Sequence, residues 1–88
     1  MSRERLLDVT DLEPPEPLER ALEAASALPR GCYVRMLHQR EPLLLCPILG
    51  ERGHAWRTRI DGEACFEIMI WRSGDAVAAR AAVVGPGG

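Results

Sequence analysis

The chain has 88 residues, a formal net charge of −2 and an apolar content of 47%, the ordinary balance of one small globular domain. A domain this short buries only somewhat more than about 60% of its unfolded surface, which excludes a large core. The slight acidic balance excludes an electrostatic draw toward nucleic acid or an anionic membrane, and no apolar run approaches the roughly 18 residues of a membrane span.

Residues 5–9 read as a short strand that runs into a turn at Thr10-Asp11-Leu12. Glu13, Pro14 and Glu16 each precede a proline and are biased away from helical geometry. A helix can begin at Pro17, where the missing N–H does no harm. From there Leu18, Ala21, Leu22, Ala25 and Leu28 recur at helical spacing and make one apolar stripe. Pro29-Arg30-Gly31 ends it.

Residues 32–38 form the second predicted strand, with Cys32, Val34 and Met36 on one side and Tyr33, Arg35 and Leu37 on the other. Helix and buried strand compete for residues 43–49. Helix is preferred, because Pro42 suits a first turn and Gly50-Glu51-Arg52-Gly53 suits a helix end. Residues 55–60 and 64–71 alternate around Asp61-Gly62, a strong hairpin signal. After Arg72 no periodicity is visible, so residues 73–88 are expected to form a flexible tail behind a domain over residues 5–72.

The order strand, helix, strand, helix, strand, strand predicts an α+β two-layer sandwich. Its mixed four-stranded sheet carries two helices on one face. Cys32, Cys46 and Cys65 cannot all pair within the chain and make no C-x-x-C motif. Buried free thiols in a reducing cytoplasm are the plain expectation, and Met1-Ser2-Arg3-Glu4-Arg5 lacks the apolar run of a signal peptide.

Leu7-Asp8 followed by Leu12-Glu13-Pro14-Pro15-Glu16-Pro17 resembles the bacterial domain of unknown function 2249 family. Arg40-Glu41-Pro42, Glu51-Arg52-Gly53 with Trp56, and Ile70-Trp71-Arg72 add to the likeness, which extends over most of the chain. That family is described as related to the TusA/SirA-like sulfur carriers, whose first strand runs into Cys-Pro-x-Pro. Here Pro14-Pro15-Glu16-Pro17 stands at that place, and Pro14 occupies the position of the sulfur-bearing cysteine. The resemblance therefore implies the TusA-like fold without the sulfur-carrier thiol. It also implies an accessory role near redox, sulfur or respiratory metabolism.

Two places can carry function. The crevice at the carboxyl ends of the first two strands, the usual ligand position in open α/β sheets, gathers Glu13 and Glu16 from one loop with His38, Arg40 and Glu41 from the other. The same groups could merely neutralise one another and cap a helix. The second place is the sheet face away from the helices, where Tyr33, Arg35 and Leu37 stand beside Met69 and Trp71. That collection is the composition of a protein interface. It equally suits a solvated face whose large side chains cover one another. No nucleophile–base constellation and no zinc spacing is present, so no catalytic residue, metal or cofactor is expected. The expectation is a non-catalytic module that binds protein partners or itself, with a small-ligand or metal-binding sensor as the alternative.

Overall fold

The computed structural model describes residues 3–61 and 65–84. In chain order these form β1 (Glu4–Asp8), α1 (Glu16–Ser26), β2 (Tyr33–His38), α2 (Leu45–Glu51), β3 (His54–Asp61), β4 (Cys65–Arg72) and α3 (Ala76–Val84). The strands make one sheet in the order β1-β2-β4-β3. β1 and β2 are parallel, while β4 runs antiparallel to β2 and β3. This is the mixed sheet and α+β class that the order of elements predicts. Gly62, the second residue of the predicted hairpin turn, lies outside the described residues.

α1 forms where the apolar stripe predicts it. Ala21, Ala25 and Leu28 are at most 2% exposed, and the two alanines let the helix axis approach the sheet closely. Opposite them, Val34 pairs in register with Ile70 and Met36 with Ile68, all four fully buried. Leu45 and Leu49, one helical turn apart on α2, complete the same core. Each fully buried aliphatic side chain of this kind contributes about 1.5–3 kcal/mol of transfer free energy. α2 begins two residues later than predicted, leaving Leu43 and Leu44 in the turn before it. It ends at Glu51, and Gly53 follows the Arg52 cap with a φ of +82°, which favours glycine. The Trp56 ring lies against Gly50 and joins α2 to β3.

The structure departs from the sequence expectation beyond Arg72. Residues 76–84 form α3 instead of continuing without regular structure, and 85–88 lie outside the described residues. Alanine is the strongest helix former, and Asp75 caps the helix. Its Oδ1 accepts the Ala78 N–H at 3.1 Å, while its Oδ2 accepts the Gly31 N–H at 2.7 Å and pins the helix to the turn before β2. These backbone bonds, to Gly31 first and Ala78 second, hold the Asp75 carboxyl below its usual range. α3 packs on the sheet face opposite α1 and α2, with Ala78 and Ala82 buried and Tyr33 and Met69 beneath it. The three cysteines are free and half-buried rather than fully buried, because each sits at or near the end of its element. Among the described residues no helix is long and apolar enough to cross a membrane.

Candidate functional site

Where β1 and β2 end, the chain leaves the sheet twice, through the proline turn into α1 and through residues 39–44 into α2. The first exit carries Pro14, Pro15 and Pro17, the second Pro42. Between them lies a cleft of about 310 Å³. Pro14, Pro15, Pro17 and Leu18 form one wall, Pro42, Leu43 and Leu44 the other, and Met36 also lines it. The Pro14-Pro15 peptide bond is cis. Leu43 and Leu44 are 70% and 78% exposed, an unusual state for two consecutive leucines beside an apolar hollow.

His38, Arg40 and Glu41 line this cleft as the sequence predicts. Glu13 and Glu16 do not: both are exposed and absent from the lining. The Glu16 N–H closes a turn onto the Glu13 carbonyl at 3.0 Å, and the prolines between and after them take the wall instead. The Arg40 backbone N–H donates to His38 Nδ1 at 3.0 Å, so the neutral ring carries its proton on Nε2. Burial, and secondarily the Arg40 charge, push the His38 pKa below its ordinary value. The cleft therefore presents a neutral imidazole among apolar walls. Cys46, next in sequence to the lining residue Leu45, has its thiol pKa pushed up by burial and then by Glu41, which disfavours the reactive thiolate. Among the described residues no three of His, Cys, Asp and Glu come close enough to hold a metal ion.

The other predicted place is altered by α3. Tyr33 and Met69 are 3% and 1% exposed, and Trp71 is half-buried against the same cluster, so these three do not form an open face. Arg35 and Leu37 remain half-exposed, but Arg35 is committed. Glu67, 2% exposed, accepts from Arg35 Nε at 2.7 Å and from Arg59 Nε at 2.9 Å, with a further Arg59 contact through its Nη2. Glu4 joins the network by pairing with Arg35 at 3.8 Å and accepting from the Tyr33 hydroxyl at 3.3 Å. Burial alone would raise the Glu67 pKa. The hydrogen bonds from Arg59 and Arg35, together with their charges, outweigh it and hold the carboxyl below its usual range. Cross-strand register brings these charges together, since Glu67 stands between Leu37 and Arg59 and next to the Arg35–Met69 pair.

Sequence reasoning placed Leu43 and Leu44 inside a helix and so missed two exposed leucines of the cleft. The available signal was the i, i+4 pair Leu45 and Leu49, which already fills the buried face of α2 and leaves no room for two more leucines there.

No curated protein and no solved structure matches the chain. A family described as an uncharacterized conserved protein, DUF2249, matches over residues 6–72, a stretch that runs from β1 to the end of β4 and stops before α3. The chain belongs to that family.

Proposed function

We propose that this protein is a non-catalytic binding module whose recognition element is the apolar cleft at the carboxyl ends of β1 and β2. The observation that carries the reading is the exposure of Leu43 and Leu44 at 70% and 78% on one wall of a hollow lined opposite by prolines. A partner protein that inserts an apolar side chain there would cover both leucines and desolvate the wall, the usual construction of an interface hot spot. The polar edge of His38, Arg40 and Glu41 would orient the inserted segment. A neutral imidazole and a thiol held protonated support binding over chemistry. A place near redox, sulfur or respiratory metabolism rests on the likeness to the TusA-like proteins, and a cytoplasmic setting on three cysteines that cannot all pair.

A small organic ligand is the second reading. It is favoured by the cleft volume of about 310 Å³, which falls at the lower end of small-molecule pockets. The two separate by mass. Untagged protein, isolated gently and examined by native mass spectrometry, should retain a partner polypeptide, and Leu44→Glu should lose it while staying folded. Retention of the same partner by Leu44→Glu would overturn the proposal. A bound mass of a few hundred daltons would establish the second reading instead.

A further inference from the structure

The opposite end of the sheet carries a cleft of contrary chemistry. Ser26 at the end of α1, Arg52 and Gly53 after α2, His54 at the start of β3, and Arg72 and Ser73 at the end of β4 enclose about 390 Å³. The lining contains two guanidinium groups and no carboxylate. Arg35 and Arg59, by contrast, close on Glu67 and Glu4. Among the described residues neither Arg52 nor Arg72 pairs with an acid. Arg72 spends one N–H on the Ser26 carbonyl at 3.5 Å, and the remaining donors of its five stay uncommitted. Two positive charges therefore converge unneutralised in a chain whose formal net charge is −2.

His54 supplies an independent observation. Its ring is 8% exposed, and Nε2 meets the Ala25 carbonyl at 3.1 Å, which assigns the proton to Nε2. Nδ1 is buried with no partner. A buried acceptor left unsatisfied is costly, and His54 is part of the cleft lining. The walls are held at fixed separation by the Ser73 N–H, which donates to the Gly53 carbonyl at 3.0 Å.

We infer that this cleft binds a phosphate group, free or at the end of a small phosphomonoester. Guanidinium forks match the spacing of phosphate oxygens, and the lining brings no carboxylate to repel the anion. The site stands apart from the apolar cleft and does not depend on the function proposed for it.

The test is titration of the full-length ¹⁵N-labelled protein with inorganic phosphate, with glycerol phosphate and with chloride, all at equal ionic strength. Saturable shifts of the Gly53, His54 and Ser73 amides are expected with phosphate or its ester, and affinity should fall at least about tenfold in Arg72→Gln and in Arg52→Gln. The Arg52 side chain makes no hydrogen bond or ion pair among the described residues, so Arg52→Gln keeps the test valid if loss of the Ser26 contact disturbs Arg72→Gln. Whichever of phosphate and ester binds more tightly identifies the source of the group. Shifts that chloride reproduces, or a folded Arg52→Gln with undiminished affinity, would overturn the inference.

Discussion

The two faces of the sheet are closed by different means. Against one face, α1 and α2 set Ala21, Ala25, Leu45 and Leu49 over Val34, Met36, Ile68 and Ile70, a continuous core whose branched and long side chains come from α2 and the sheet. Against the other, α3 lays alanines over Tyr33 and Met69 and leaves the remainder to the ion network around Glu67. Small alanine side chains supply little apolar area per residue. The second closure therefore depends on its anchor at Asp75 and on electrostatics more than on packing. The consequence for function is direct. The face whose composition suggests an interface is already occupied by the chain's own helix, and the unfilled apolar surface lies at the end of the sheet.

Neighbours in β4 sharpen this contrast, because Ile68 and Met69 are both at most 1% exposed and point to opposite faces. Ile68→Ala should cost about 4 kcal/mol by denaturant unfolding, near the upper part of the range for buried aliphatic truncations. Met69→Ala should cost about 2 kcal/mol, because a thinly packed helix can settle into the space. Equal losses would mean that the two faces are equally well packed.

Glu67→Gln comes next, at about 2 kcal/mol, since it removes the charge that two arginines share. The pH dependence follows from the lowered pKa. The folded protein binds the Glu67 proton more weakly than the unfolded chain, so the contribution is complete above the ordinary glutamate value of 4.5. It is lost as the pH falls below that value toward the folded pKa. Wild type should therefore lose more stability than Glu67→Gln between pH 5 and 3, an interval of about two units around that transition. Parallel curves would contradict the role assigned to the network.

Asp75→Asn should weaken the hold on the Gly31 amide and loosen α3 while leaving α1 and α2 in place. In a Trp56→Phe background, Trp71 emission should shift to the red without a comparable loss of cooperative unfolding. An unshifted spectrum would show that the cap is dispensable. The smallest effect is expected at the cleft: Leu44→Ala should change stability by less than about 0.5 kcal/mol, as exposed substitutions do.

Most of the sheet was legible because its signals were strong and local. The stripe from Leu18 to Leu28 and the alternations around Asp61-Gly62 each specify one period. α3 was hidden for a physical reason. Its buried residues are the small Ala78 and Ala82, while the larger Val77 and Val83 stand about half exposed, so side-chain hydropathy does not mark the buried face. Asp75 before an alanine-rich run was the usable signal, as an N-cap ahead of strong helix formers. His38, Arg40 and Glu41 could be placed beside the cleft from their position at and after a strand end. Glu13 and Glu16 were drawn into the crevice by charge, although the turns that prolines impose leave them outside it. Leu43 and Leu44 were read into the helix over residues 43–49, which begins only at Leu45.

The most direct measurement is hydrogen–deuterium exchange of the full chain, alone and in the complex captured with its partner. The account predicts new protection at residues 16–18 and 43–46, with exchange at residues 33–37 and 67–71 unchanged. Protection confined to β2 and β4, with the two cleft loops unaffected, would contradict it and return recognition to the sheet face.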